Sequence, residues 1–412
     1  MKKRVEIACG WVLAFAACTA ANAAEWVQTW GAAPLPPSAA QGAFPATPGF
    51  NNQTIRQTVR VSIGGSRVRL RFTNEYGGKP LTIGAARIAL SDEKGNIQPG
   101  TDKPVLFAGK PAVTIPASAP FFSDPVDLPV KSLTSLSISI YLPEDTGPCT
   151  CHAVGVQNGF VSDEGDFTAK AFTPKQTIQS RAFISGVDVE SATAARSVVV
   201  LGDSISDGVG ATLDANHRWP DLLANRLNDK GGKGWGVVNM GISGNRVLGD
   251  GAGQSALARF DRDVLSATGV KAVVIFEGVN DLGIAYGHFE GPRAAFFKAL
   301  APGNVTAETM IAGYRQLIAR AHARGLKVFA ATITPYGGAM YYSAEGEAVR
   351  QAINSWIRTG HEVDGVLDFD AVVRDPAKPT QFKEGFHAGD YLHGSDAGYA
   401  AMAAAVDLSL LK

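Results

Sequence analysis

The stretch Val198-Val199-Val200-Leu201-Gly202-Asp203-Ser204-Ile205-Ser206-Asp207-Gly208 is a short apolar run that breaks into a glycine turn. Four residues, three of them β-branched, are too few for a helix and read as a strand buried on both faces. Comparable runs follow at Gly236 to Asn239, Ala272 to Phe276, Val328 to Ile333 and Val366 to Asp368. Between the third and fourth, Met310, Ile311, Tyr314, Leu317, Ile318 and Ala321 share one face of a helix that Gly325 ends. Strands alternating with helices predict a parallel sheet covered by helices, an α/β domain over residues 196–412.

Upstream the texture is different. Val59, Val61 and Ile63 alternate with polar residues, Gly64-Gly65 intervenes, and Val68, Leu70 and Phe72 alternate with Arg67, Arg69 and Arg71. Period two around a glycine pair predicts a hairpin with one buried face, which sets Arg60 opposite Arg69 on its outer side. Leu136, Ile138, Ile140 and Leu142 repeat the pattern, and short strands punctuated by Pro and Gly continue to residue 188. The expectation is an all-β sandwich, jelly-roll-like, over residues 24–188, joined by a linker at 189–195. The prolines at 34, 36, 37, 45 and 48 exclude regular structure from Gly31 to Phe50 and predict that this region starts with an irregular arm that includes Trp26 and Trp30.

A chain of 412 residues, 45% apolar and 18% charged, is long enough for two such cores. Lys plus Arg and Asp plus Glu both number 38, so no bulk charge serves to hold nucleic acid or an anionic membrane. Met1-Lys2-Lys3-Arg4, an apolar run from Ile7 to Ala17 and Ala21-Asn22-Ala23 together read as a cleavable signal peptide over residues 1–23. That reading places the protein in the periplasm or outside the cell. Lipoprotein anchoring at Cys18 is the competing reading. No later stretch approaches the ~20 apolar residues of a membrane span. Cys149 and Cys151 are the two cysteines beyond the leader, and the spacing suits a tight disulfide or two inert thiols better than a metal site.

In an open α/β sheet, ligands bind beyond the carboxyl ends of the strands. The first strand runs into Ser204, the second into Gly241-Ile242-Ser243-Gly244-Asn245, the third into Glu277-Gly278-Val279-Asn280-Asp281, and Asp390-Tyr391-Leu392-His393 lies near the C-terminus. A serine, glycine turns, an asparagine amide and an Asp/His pair are the components of an acyl-transfer site. A hydroxyl needs an imidazole to take its proton, the imidazole needs a carboxylate to hold its tautomer, and the attacked carbonyl needs N–H donors.

These four segments resemble the four sequence blocks of the SGNH (GDSL) hydrolases, and the β-domain resembles the N-terminal module of their secreted two-domain members. The resemblance implies a flavodoxin-like three-layer fold and ester hydrolysis. Carried over position by position, it makes Ser204 the nucleophile, His393 the base, Asp390 its orienting carboxylate, and Ser204, Gly244 and Asn280 the oxyanion donors. Gly394 stands where many members have proline, which is expected to loosen the start of the last helix, Ser395 to Leu410. No cofactor or metal is implied. An acylated polysaccharide is the first substrate expectation, a lipid or aryl ester the second; an acyltransferase and a non-catalytic glycan-binding protein are alternatives of other classes. His387 is the rival base and Ser206 the rival nucleophile. Neither acyl length nor oligomeric state is legible.

Overall fold

The computed structural model describes residues 25–40, 46–92, 94–191, 194–228, 234–290, 292–300 and 304–411. The expected leader, residues 1–23 with Cys18, lies outside them. The C-terminal part is a five-stranded parallel sheet, made of Arg196–Gly202, Trp235–Gly241, Val270–Phe276, Lys327–Ala331 and Gly365–Leu367. Counted along the chain its strand order is 2-1-3-4-5, the flavodoxin-like order. Val198, Val199, Val200 and Leu201 are buried on both faces of the sheet, which is why this run lacks alternation. The helix Ala307–His322 turns Met310, Tyr314, Leu317, Ile318 and Ala321 inward, and Gly325 at φ +69° follows its end. This α/β domain has one continuous hydrophobic core.

The N-terminal part is all-β with a core of its own. A six-stranded antiparallel sheet contains Gln53–Arg60, Ser135–Leu142 and Ala85–Ser91 at its centre, and a four-stranded sheet contains Glu25–Gly31, Ile184–Ser191, Arg67–Thr73 and Pro120–Phe122. The expected hairpin is therefore absent. Gln53–Arg60 and Arg67–Thr73 sit in different sheets, and the Gly64-Gly65 region carries the chain across from one to the other. Gly64 is closely packed there, since a Cβ on it would lie 2.2 Å from the carbonyl oxygen of Val130. Trp26 and Trp30 are not in an irregular arm either. They lie in Glu25–Gly31, which pairs with Ile184–Ser191 in the register Glu25↔Ser191. That partner strand runs to Ser191, into the segment expected to be linker.

The regrouping changes what faces the arginines. Arg60 is opposite Ser135, while Arg67 and Arg69 are opposite Glu190 and Asp188 and form ion pairs with them at 2.6 and 2.8 Å. The carboxylates come from the adjacent strand of the same sheet. The same surface faces the α/β domain: Asp188 also accepts from Thr268 Oγ1 (2.8 Å), Arg71 donates to Ser266 Oγ (3.0 Å) and Arg60 to Asn225 Oδ1 (2.9 Å). Backbone joins the two domains as well, from Gln28 N–H to Thr268 O and from Val237 N–H to Ser62 Oγ, each 2.9 Å. Replacing Arg69 leaves the buried Asp188 with the Thr268 hydroxyl and no cation. Arg69→Gln is expected to cost about 1–3 kcal/mol, read as a lower denaturation midpoint at unchanged turnover. An unchanged midpoint would refute it.

Candidate active site

The first strand delivers the serine. Beyond Gly202, Asp203 caps a single helical turn, Ser204–Asp207, by accepting from Ile205 N–H at 2.9 Å, and Gly208 closes the turn at φ +102°. Gly202 has to be small, because a Cβ there would stand 2.3 Å from Ser206 Oγ. Ser204 heads this turn at 4% exposure. Ser206 is fully buried and accepts from Trp219 Nε1 at 3.3 Å, so it packs the helix that follows. Trp219 itself is core, edge-on to Phe276 and Phe369.

The C-terminal segment brings His393 and Asp390 to the serine. His393 Nε2 is 2.8 Å from Ser204 Oγ, and His393 Nδ1 is 2.6 Å from Asp390 Oδ2. The other oxygen of Asp390 accepts from the backbone N–H of Leu392 and of His393, both at 3.0 Å, which fixes the one-turn spacing between the two residues. Burial acts to raise this carboxyl, but the hydrogen bonds from the His393 ring and backbone outweigh it and hold it well below the usual carboxylate range. His387 points elsewhere: its Nδ1 accepts from Gly389 N–H, and its ring stacks on Tyr391 at 4.3 Å.

Gly394 does not loosen the last helix. Ser395 caps it by accepting from Gly398 N–H, and a Cβ on Gly394 would press to 2.7 Å on the buried Tyr399 ring. Tyr399 in turn donates to Val209 O at 2.5 Å, tying this helix to the serine segment. The helix spans Asp396–Ala405 and gives way to a 3₁₀ turn at Leu408–Leu411, shorter than expected.

The second and third strands lead into Gly244 and Asn280. Gly244 adopts φ +81°, a left-handed turn after Gly241, and among the described residues neither its N–H nor that of Ser204 donates within the chain. Asn280 lies in the first turn of the helix Val279–Tyr286; its Nδ2 donates one hydrogen to Asn245 O (2.9 Å), leaving the other, and its Oδ1 accepts from Tyr341 OH (3.2 Å). Asp281 accepts from the N–H groups of Val247 and Leu248, which docks this helix on the loop after Gly244. Burial pushes the Asp203 carboxyl up to about 7 and that of Asp281 up to about 6.

Arg259 has no counterpart in the sequence reading. It is fully buried and spends its donors on Gly202 O, Met240 O, Asn245 Oδ1, Glu277 Oε1 and Asp263 Oδ2, at 2.6 to 3.2 Å. One guanidinium thus fastens the ends of the first three strands together under the serine. Its spacing to Asp263 looks like an ordinary surface pair on a helix, so sequence offered no signal. Beyond Asn280, Phe289 stacks on Phe297 at 4.0 Å and packs on the domain core.

Cys149 and Cys151 are bonded to each other and buried. Among the described residues no group of three His, Cys, Asp or Glu side chains is arranged to hold a metal ion.

Residues 200–401 match the model of the GDSL-like lipase/acylhydrolase family. A search of curated proteins found no match. Solved structures similar to this chain include a carbohydrate acetylesterase from Sinorhizobium meliloti (17% identity, 53% of this chain and 100% of that one, TM-score 0.39). An acetyl xylan esterase is similar at 20% identity, over 51% of this chain and 96% of that one (TM-score 0.38). The aryl esterase of M. smegmatis is similar at 16% identity, with the same two coverages and a TM-score of 0.39.

Proposed function

We propose that this chain, whose residues 200–401 are a GDSL-like lipase/acylhydrolase domain and make it an ester hydrolase, works through a covalent acyl-serine on Ser204. The observation that supports this most is the unbroken chain from Asp390 Oδ2 through His393 to Ser204 Oγ, at 2.6 and 2.8 Å. His393 Nε2 takes the Ser204 proton as Oγ bonds to the ester carbonyl carbon. Charge then rests on the carbonyl oxygen, facing the N–H groups of Ser204 and Gly244 and the free amide hydrogen of Asn280. His393 returns its proton to the leaving alcohol as the C–O bond breaks, and water repeats the sequence to free the acid. Asn280→Ala is expected to lower kcat about 10²- to 10³-fold with little change in KM. A loss under about threefold, measured by steady-state kinetics, would remove Asn280 from the set of donors.

For the substrate we propose a short-acyl ester of a carbohydrate. Tyr391, two residues before His393, is 38% exposed and stacks on His387, and its flat ring is a surface on which a sugar ring can lie. The same platform suits an aryl group, which makes an aryl ester the second reading. Incubation with acetylated polysaccharide and with aryl esters of increasing acyl length separates the two. Acetate released from the polysaccharide, with aryl-ester rates falling as the chain lengthens, is the expected result; no acetate, with rates rising, would overturn the reading.

Residues 1–23 we propose to be a leader and the mature protein to lie outside the cytoplasm, as the Cys149–Cys151 bond supports. None of the described helices is long and apolar enough to cross a membrane.

A further inference from the structure

His152 belongs to the all-β domain, one residue beyond the disulfide, yet its ring ends against the serine turn of the other domain. The two-residue strand Cys151–His152 pairs with Arg181–Ala182 and leaves the side chain buried. Nδ1 lies 3.0 Å from Ala33 O; Nε2 lies 3.0 Å from Val154 O and 2.8 Å from Asp207 Oδ1. All three partners are acceptors, so each ring nitrogen has to carry a hydrogen, and the group that fits is the imidazolium.

Asp207 is the last residue of the turn that Ser204 begins. Its second oxygen accepts from the backbone N–H (2.9 Å) and the hydroxyl (2.6 Å) of Ser243, the residue before Gly244. A line of charge-assisted hydrogen bonds thus runs from the β-domain through Asp207 to the glycine turn, with both ionised groups nearly inaccessible to water. Without the imidazolium, Asp207 would lose its hydrogen-bonded cation and keep only the charge of Arg218, which is itself paired with Asp221. Arg181 and Arg218 are the other charged groups around the small cavity beside the ring. Arg218 is paired with Asp221, and Arg181 is bonded to the carbonyls of Gln157 and Gly155. Burial acts to lower the His152 ionisation, but the Asp207 charge and the three hydrogen bonds outweigh it and hold it above the ordinary histidine value.

We propose that His152 is a positioning residue for ester hydrolysis, an imidazolium lent by the β-domain that holds Asp207, and through it the Ser243–Gly244 turn, where the carbonyl oxygen is met. This rests on Ser204 as nucleophile and Gly244 as oxyanion donor. The β-domain then completes the active site of its neighbour.

The test is a kinetic comparison of His152→Gln, Asp207→Asn, the double variant and Ser243→Ala, with Ser204→Ala as control. His152→Gln and Asp207→Asn should each lower kcat about 10- to 100-fold at nearly constant KM, and the double variant should be no worse than the poorer single one. Because the raised ionisation favours the charged ring, the contact is present at low pH and lost as pH rises through it. Wild-type kcat should therefore decline on the alkaline side, and His152→Gln should lack that decline. A role confined to holding the domains together would lower the melting temperature and leave kcat and its pH profile alone, which overturns the proposal; so do losses that multiply in the double variant. If His152→Gln does not fold, Asp207→Asn and Ser243→Ala decide, a fall in kcat supporting the proposal and full kcat overturning it. An active Ser204→Ala would sink the nucleophile assignment itself. An inactive Ser204→Ala beside a fully active His152→Gln sinks this inference alone.

Discussion

Ser204→Ala is expected to lower kcat by about 10⁴- to 10⁶-fold while leaving the circular dichroism and the melting temperature near those of the parent. The size follows from what is removed. Without Oγ there is nothing for His393 Nε2 to deprotonate at 2.8 Å and no atom to carry the acyl group, so what remains is water attacking a carbonyl that the oxyanion donors still polarise. The fold should tolerate the change because the turn is capped by Asp203 and closed at Gly208, neither of which uses the Ser204 hydroxyl. Ser206→Ala is the contrast: its hydroxyl packs on Trp219, so it should cost some stability and little turnover. The reverse pattern, activity lost with Ser206 and kept without Ser204, would discard the assignment.

The second large effect is at Asp390. Replacing its carboxylate by an amide keeps the shape but can present an N–H to His393 Nδ1. The imidazole then settles with its hydrogen on Nε2, facing Ser204, where it cannot accept a proton; kcat for Asp390→Asn should fall about 10⁴-fold. In the native protein the Asp390 carboxyl is held well below the usual range, so its charge is present throughout neutral and mildly acidic pH and is lost only in strong acid. His387→Ala should keep most of its turnover, since that ring serves Gly389 and Tyr391. A variant of Asp390 retaining a tenth or more of kcat would show that another group orients the base.

How far the sequence could be read depended on how far apart the partners lay. The strand runs of the α/β domain, the face of Ala307–His322 and the residues that meet in the candidate site were legible because each is a local pattern: a β-branched run, a helical period, or a chemical group just past a strand. The Gly64-Gly65 region was misread because a two-residue turn and a crossing between sheets leave the same alternation on either side. What distinguishes them is that Gln53–Arg60 pairs with Ser135–Leu142 and Arg67–Thr73 with Ile184–Ser191, choices made far along the chain. The prolines that argue for an arm begin only at Pro34, and the partner that makes Trp26 and Trp30 part of a strand also lies far along the chain. Arg259 and His152 were out of reach altogether. Their contacts come from which buried acceptors the tertiary structure collects around them, and nothing in their flanking residues announces it.

The pairing of Glu25–Gly31 with Ile184–Ser191 also orders events in time. Glu25–Gly31 is made before the rest of the all-β part, but the strand it needs is the last of that part to be made. Until Ser191 has been synthesised, Trp26, Val27 and Trp30 have no sheet to join, and the hydrogen-bonding edge of that segment stays open. Closing so long a loop is entropically costly before any contact repays it, so the sandwich should be slow to form and vulnerable to mispairing while it waits. A carrier that keeps the nascent chain extended would help folding here rather than delay it.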